Sequence, residues 1–404
     1  MSLAALKPAD AERTGTAPSA SVAALLDRID ALRDLVETSA DKTDGASEIA
    51  PEVIRALEEA GVFSLMGPAD LGGMEAHPLD VIEVLKRLSW LDGSVGWYCQ
   101  AATTGVAVAG AFLGERAVDA IFRSGRPATC AGQAAPTGKA ERVGDGYRIS
   151  GSFSFGSGVP NAAWVVGGYI LHENGAPVLR ENGQPIMLIA MAPREKVEFT
   201  GNWNVLGLRG TGSYDFTVTE QVIHADFAFD AACPEQKRGG ALYAMGFSAI
   251  PALCHAAFGI GCTTRLLDEW AAHARAKRRI QGGTMAEAET FQRDFAMAQA
   301  RLRSADAYVR DTFARLFDGV QQGTIADDLR LDGRLSASNV ITTGAEIGQK
   351  AFAASATTGL RNGSRLQRCY RDLQAANAHS LTGEQAYIDA GRYLAGLPGA
   401  TPGL

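Results

Sequence analysis

A change of rhythm governs what this chain can fold into: apolar residues recur at three and four on either side of a central stretch in which they recur at two. From Ser21 to about Phe122 the spacing is helical, as in Val22, Leu25, Ile29, Leu32 and Val36, and again in Val81, Ile82, Leu85 and Leu88 after Pro78. Pro51 opens a short helix carrying Val53, Ile54 and Leu57, and Gly61 ends it. Asp92-Gly-Ser-Val-Gly-Trp97 is predicted to interrupt the pattern before a helix of small residues from Gln100 to Leu113. From about Cys130 to Phe229 the period becomes two. Tyr147-Arg-Ile149, Phe153-Ser-Phe155, Trp164 to Ile170, Ile186 to Met191 and Tyr214 to Val218 are predicted strands, with turn signals at Gly144-Asp-Gly146, Asn174-Gly175 and Asn182-Gly183. After Leu242 the helical period returns. A capping box at Thr284-Met-Ala-Glu287 leads into Phe291, Phe295, Ala298, Leu302, Ala305, Val309, Phe313 and Leu316, about seven turns of one apolar stripe. A stripe that long needs partners, so a bundle of antiparallel helices is expected. Further helices are predicted from Ala337 to about Ala354 and from Leu366 through His379. The predicted fold class is α+β and multidomain: a mobile tail over 1–20, a helical domain over 21–128, a central antiparallel barrel or sandwich over 129–232 and a helical domain over 233–404. The most glycine-punctuated turn of the β module is Trp203-Asn-Val-Leu-Gly-Leu-Arg-Gly-Thr-Gly-Ser213.

Composition narrows the partners. The 404 residues are 46% hydrophobic, enough to bury ordinary cores, and a net charge of −7 argues against nucleic acid or an anionic membrane, which require a basic face. Phosphate-bearing ligands stay open, since a few arginines suffice for them. The six cysteines, Cys99, Cys130, Cys233, Cys254, Cys262 and Cys369, form no CxxC pair and no metal-ligand spacing, and read as buried thiols of a reducing compartment. Met1 to Ala20 lacks the basic-then-apolar order of a signal peptide, and no uninterrupted apolar run has membrane-spanning length. The expected location is cytoplasmic, with no metal.

Gly207-Leu-Arg-Gly-Thr-Gly212 lacks both the GxGxxG order and the strand-to-helix setting of a dinucleotide loop, and the chain contains no GxSxG, Walker or HExxH sequence. Two segments carry candidate chemistry. Phe153-Ser-Phe-Gly-Ser-Gly158 ends a predicted strand with small residues and hydroxyls, which brings backbone N–H groups and Ser157 near a flat polar ligand. Its plainer reading, favoured by the residues alone, is a hairpin end whose serines bond their own backbone. In Arg368-Cys-Tyr-Arg-Asp-Leu-Gln-Ala-Ala-Asn-Ala-His379, a helix would align Asp372, Ala375, Ala376 and His379, leaving room beside a proton donor or acceptor active near neutrality. A lone histidine at a helix end is more often bonded to the last carbonyls.

These segments, taken in order, resemble the acyl-CoA dehydrogenase superfamily, and within it the two-component, reduced-flavin-dependent aromatic monooxygenases. Ala60-Gly-Val-Phe, Gly67-Pro and Leu71-Gly-Gly73 are similar to the family's N-terminal domain, and Asp92-Gly-Ser-Val-Gly-Trp97 to the hydroxylase branch. Phe155-Gly-Ser-Gly158 and Leu206-Gly-Leu-Arg-Gly-Thr-Gly-Ser213 are similar to its β domain, and Arg278, Gly282 and Gln292 to its C-terminal four-helix bundle. The resemblance covers nearly the whole chain. It implies a homotetramer in which flavin lies between β domain and bundle and is completed by a neighbouring subunit.

Many acyl-CoA dehydrogenases place a glutamate base eight residues after the Arg-Asp pair. Here that position is Ser380, the next acid is Glu384, and the alternative stretch from Leu253 to Thr264 holds no acid. The hydroxylases carry a histidine just after the pair, and His379 fills that place. The resemblance implies that His379 contacts or deprotonates an aromatic substrate and that Ser157 supports a flavin C4a-hydroperoxide near N5. It further implies that Gly158, Trp203, Arg278 and Gln292 hold flavin, and that Trp97 and Gln133 line the substrate site. Ala353, Ala356 and Thr357 replace the glutamine and glycines that meet the adenosine of FAD in dehydrogenases, so FADH2 and FMNH2 both fit. Cys130-Ala-Gly-Gln133 lacks the polar side chains of phenol hydroxylases, which favours an indole or a larger ring. Molecular oxygen is the implied co-substrate. Because no NAD(P)H fingerprint is visible, a separate NAD(P)H:flavin reductase is the expected partner. The rival readings are an acyl-CoA dehydrogenase with another base and a non-catalytic scaffold.

Overall fold

The computed structural model describes residues 18–125, 128–232, 234–280 and 282–397. The predicted tail lies outside them up to residue 17, as does Cys233. Six helices come first: α1 (Ala20–Ala31), α2 (Arg33–Ala46), α3 (Pro51–Glu59), α4 (Pro78–Leu91), α5 (Gly93–Phe112) and α6 (Glu115–Phe122). Ser19, inside the segment expected to be mobile, caps α1 by accepting the Val22 N–H. The stripe running from Val22 to Val36 is not one helix: α1 closes at Leu32, and α2 starts at the next residue.

The segment expected to interrupt the helical pattern at Asp92 instead begins α5. Asp92 takes an extended conformation and its carboxylate accepts the N–H groups of Ser94 and Val95, which offsets the poor helix propensity of the two glycines that follow. Those glycines are there for close packing. A Cβ on Gly93 would stand 2.4 Å from Asp372 Oδ2, and one on Gly96 would stand 2.2 Å from Ser89 Oγ. Glycine content signalled a break, and tertiary contact overrode it.

The strands are β1 (Cys130–Val143), β2 (Gly146–Gly156), β3 (Trp164–Glu173), β4 (Ala176–Pro177), β5 (Met187–Pro193), β6 (Val197–Phe199), β7 (Tyr214–His224) and β8 (Ala228–Asp230). They make one eight-stranded sheet in the order β6-β7-β2-β1-β3-β5-β8, with β4 on β3. The sheet is mixed, where only antiparallel neighbours were expected. After β2 the chain crosses over β1 and lays β3 on its far side, so β1 and β3 run parallel, with Cys130 opposite Trp164 and Gln133 opposite Gly167. The central strand β1 is also the one with the weakest sequence signal. Its Ala, Gly and Pro content reflects close packing, since a Cβ on Gly105 of α5 would stand 2.3 Å from the Cys130 carbonyl oxygen. Phe153, Tyr169 and Phe216 centre the core on one face of this sheet, with the Phe153 and Phe216 rings stacked 4.9 Å apart.

The remaining helices are α7 (Ala241–Ala244), α8 (Ala249–Ala276), α9 (Glu289–Gln321), α10 (Asp327–Ser355), α11 (Arg365–Asn377) and α12 (Glu384–Leu394). Thr284 to Glu287 forms a single tight turn, with Thr284 bonded to the Glu287 carboxylate, and α9 opens two residues later. The predicted capping box thus closes the turn before the helix it was expected to cap. Helix α8 is long and apolar enough to cross a bilayer, yet 89% of its apolar window is buried inside the protein. It is the shared wall of the molecule. A Cβ on Gly261 would lie 2.3 Å from the Lys86 carbonyl oxygen of α4, and one large core joins the N-terminal helices to the bundle. Phe258 of α8 is fully buried in that core against Trp97; truncating it to Ala would cost about 3–5 kcal/mol.

Candidate active site

The glycine-rich turn after Trp203 is pinned where sheet and helices meet. The Leu208 N–H donates to Asp372 Oδ1 of α11 at 2.6 Å, and the Gly210 N–H donates to Ser94 Oγ of α5 at 3.0 Å. Gly207 has no room for a side chain, because a Cβ there would lie 2.0 Å from the Arg371 carbonyl oxygen. Leu208 itself is held at φ 55°, a strained value for leucine that these contacts maintain. Burial and the neighbouring Asp92 push the Asp372 carboxyl up to about 7.

The pinned turn aims a run of hydroxyls at Ser157. The Leu208 carbonyl accepts from Trp203 Nε1 at 3.1 Å and from Thr211 Oγ1 at 2.8 Å. Thr211 Oγ1 lies 2.7 Å from Ser213 Oγ, which lies 2.9 Å from Ser157 Oγ, and Trp97 Nε1 donates to Ser157 Oγ at 3.0 Å. The protons have one consistent direction. A carbonyl only accepts, so Thr211 donates to Leu208, Ser213 to Thr211 and Ser157 to Ser213. Ser157 Oγ then accepts from Trp97 and keeps one lone pair free for a ligand donor. This differs from a hairpin end whose serine satisfies only its own backbone. Gly158, at φ 81°, turns the chain away, and a Cβ there would meet Ala131 and Tyr98 at 3.2–3.3 Å. Phe155 is 64% exposed, with its ring 5.9 Å from half-buried Trp203, so an aromatic shelf adjoins the hydroxyl run.

Helices α5, α8 and the end of α11 close the other side. The Trp97 ring meets the His255 ring edge-on at 4.8 Å and the His379 ring at 5.6 Å, and the two imidazoles are 4.6 Å apart. His379 is not on the helical face expected for it, because α11 ends at Asn377 and the histidine sits in the turn beyond. Its ring does not bond the last helix carbonyls either; Nδ1 accepts the Leu381 N–H at 3.2 Å. Burial pushes His379 down to about 4, so its ring is neutral near pH 7, whereas a group titrating near neutrality was expected. His255, on the stretch of α8 where only acids were sought, is 5% exposed and pushed down to about 3 by burial and by His379. His255 does not stand out by spacing or motif, and Ser213 was only the last residue of the glycine-rich turn; the packed chain shows them beside His379 and Ser157.

The other expected site residues are placed apart from this cluster or turned inward. Gln133 lies on β1 next to Gly132, whose backbone bridges to Ser157, but its Oε1 accepts the N–H of its own strand's Ala135 at 2.8 Å. Arg278 is exposed in the hairpin after α8, its backbone paired with Thr284, and exposed Gln292 donates to the Ala286 carbonyl at 3.2 Å. From His255 to the end of α8 is about 30 Å of helix, and Arg278 lies beyond that end.

The residues present fit a flavin at the Ser157 end. A flat heteroaromatic ring has an exposed aromatic shelf to cover, and a polar ring edge has a free Ser157 lone pair and a pinned backbone turn to meet.

Comparison with known proteins agrees with this architecture. Residues 253–384 match the family model described as acyl-CoA dehydrogenase, C-terminal domain. The chain is 30% identical over 382 residues to the indole-3-acetate monooxygenase of Pseudomonas putida, covering 92% of this chain and 94% of that one. It is 28% identical over 392 residues to the flavin-dependent monooxygenase oxygenase subunit HsaA of Rhodococcus jostii (strain RHA1), covering 92% and 98%. The solved structure of 3-HSA hydroxylase from Rhodococcus sp. RHA1 superposes with a TM-score of 0.84 at 24% identity, over 94% of this chain and 98% of that one. Helices, sheet and bundle in this order define an acyl-CoA dehydrogenase-like fold built around a flavin site. The chain belongs to the two-component, reduced-flavin-dependent monooxygenase branch of the acyl-CoA dehydrogenase superfamily. It is an oxygenase component of that branch.

Proposed function

We propose that this oxygenase hydroxylates a flat aromatic substrate bearing an O–H or N–H, of phenolic or indole type, in the space where Ser157, Trp97 and His379 converge. One observation carries the reading: Trp97 touches both other residues, donating to Ser157 at 3.0 Å and packing on His379 at 5.6 Å. Bound reduced flavin supplies the activation of dioxygen. Ser157 contributes its free lone pair, which suits the N5–H of a reduced flavin ring, and the Ser213-Thr211-Leu208 chain fixes the direction of that lone pair. Trp203 and Phe155 offer the shelf beneath the ring, and Gly158 keeps its edge clear. With Nδ1 occupied by the Leu381 N–H, neutral His379 carries its proton on Nε2 and presents an N–H to the substrate. Trp97 and His255 pack against the His379 ring, and with a substrate bound they would help keep water from the reacting edge. Cys130 is fully buried and Gln133 is partly engaged by its own strand, which supports a ring held by shape more than by a polar cage.

The phosphate end belongs to a different part of the molecule. We assign Arg278 and Gln292 to the flavin of a neighbouring subunit in a homotetramer, because both are exposed and lie a helix length from Ser157. FAD and FMN both satisfy this arrangement, and the buried thiols support a cytoplasmic setting. The test is turnover of the purified protein with a flavin reductase, NADH and a panel of phenols and indoles, read by product mass. Incorporation of one oxygen atom into a ring supports the reading. Bleaching of bound flavin by an acyl-CoA without oxygen, and no oxygenated product, would overturn it in favour of a dehydrogenase.

A further inference from the structure

His255 is among the described side chains with a fully buried polar atom and nothing bonded to it: Nε2 has no partner. The other nitrogen decides what that atom is. Nδ1 lies 2.6 Å from the Pro251 carbonyl oxygen, one turn back on α8. Because a carbonyl only accepts, the ring proton resides on Nδ1, and Nε2 is a bare lone pair. Among the described residues the ring is faced by Trp97 from α5 and His379 from beyond α11, and no carboxylate, lysine or arginine makes a hydrogen bond or ion pair with it. Leaving an acceptor of this kind buried and unbonded is costly, because its desolvation is not offset by any hydrogen bond. An apolar side chain of similar shape would avoid that cost, so the lone pair calls for a donor that the chain does not provide.

His379 is its complement. The Leu381 N–H occupies His379 Nδ1, which leaves an N–H on Nε2, and the two rings lie 4.6 Å apart at a 46° tilt without bonding each other. One donor and one acceptor thus flank the same space beside Trp97.

We propose that His255 Nε2 accepts the hydrogen bond of the substrate's O–H or N–H, making His255 the residue that selects donor-bearing aromatics, while His379 serves as the opposing N–H. Accepting that bond also raises the electron density of the ring to be hydroxylated. The proposal rests on the aromatic-hydroxylase reading and refines it: the acceptor role moves from the histidine after the Arg371-Asp372 pair to one on α8. A site built to bond a donor rejects the analogue that lacks it, because its own group is then left unpaired.

The experiment compares indole with 1-methylindole and phenol with anisole, in wild type and in His255→Phe. Wild type is expected to favour the donor-bearing member of whichever pair it accepts by about tenfold or more in kcat/KM. His255→Phe should abolish that preference, and His255→Gln, which keeps an acceptor oxygen, should restore part of it. Full preference retained in a folded His255→Phe variant overturns the proposal. If the Phe variant does not fold, oxygen-free titration of the wild-type protein decides: equal affinity for indole and 1-methylindole, and for phenol and anisole, overturns it, and tighter binding of the donor-bearing member supports it. Binding is measured without turnover, so failure of all four compounds to be hydroxylated would sink the function reading while the titration still judges His255.

Discussion

The two ends of α8 make an instructive contrast. At the His255 end, helices, sheet and the turn after Trp203 converge within one subunit, and the hydroxyls of Ser157, Ser213 and Thr211 have partners whose direction can be traced. At the Arg278 end, an exposed hairpin and the exposed start of α9 present a guanidinium and an amide to solvent. On the proposed reading, the first end positions the ring and the substrate, and the second meets the phosphate of a neighbouring subunit's flavin.

The largest effect is expected at the closed end. His379→Ala should lower product formation on the order of a hundredfold, with reduced flavin still consumed and hydrogen peroxide released in place of product. Normal coupling in that variant would make His379 a helix-end residue only. Because burial holds the ring down to about 4, the wild-type product profile should also show no histidine step between about pH 6 and 8. At the open end, Arg278→Ala should weaken flavin binding by about tenfold or more at unchanged melting temperature, as expected for loss of a charge-assisted bond from an exposed residue. Co-assembling Arg278→Ala with His379→Ala subunits sharpens the contrast further. If the ends pair across subunits, hybrid sites regain both residues and activity returns; if each subunit is self-sufficient, the mixture stays inactive.

Acid should strain the closed end selectively. His255 is pushed to about 3 and His379 to about 4 from an ordinary 6.5, so the unfolded chain binds protons that the folded chain refuses. Their neutral burial is fully tolerated above about pH 6.5, and stability is lost as pH falls from there toward 4. His255→Phe should flatten the slope of melting temperature against pH across that window, whereas Arg278→Ala should leave it as in wild type. The smallest effect belongs to Ser157→Ala, expected to change stability by about 1 kcal/mol while shifting the ratio of product to peroxide downward. A wild-type ratio would return Ser157 to a turn-forming role.

Legibility in the sequence followed the physics of each part. The long stripe of α9 and the alternating strands β2, β3, β5 and β7 were readable because one face of each is buried and periodicity records that directly. Strand β1 and the first turn of α5 were not, because their small residues answer to neighbours distant in sequence, such as Cys130 against Gly105 and Asp372 against Gly93. Trp97 was named only through resemblance, whereas Ser157 and His379 stood out among the residues and took their roles toward flavin and substrate from the resemblance. The features that make them a site, the hydroxyl run into Ser157 and the rings packed around His255, depend mainly on contacts between positions 56 to 282 residues apart, which leave no local trace. The local links are Thr211 with Ser213 and with the Leu208 carbonyl, and His255 Nδ1 with the Pro251 carbonyl one turn back.

Asp92 closes α4 and opens α5 in a single residue, and its free oxygen lies 3.7 Å from Arg368 Nη1 of the bundle, three residues before Pro-free helix turns bring Arg371 and Asp372 against the turn after Trp203. Inheritance of this protein's chemistry therefore does not follow its layers. A chimera that takes its sheet from one relative and its helices from another cuts through this knot, however well the cut respects the strand and helix ends. Residues 92–97, 206–213 and 368–372 have to come from one parent, and a chimera that mixes them is expected to keep its helical circular dichroism while losing flavin binding.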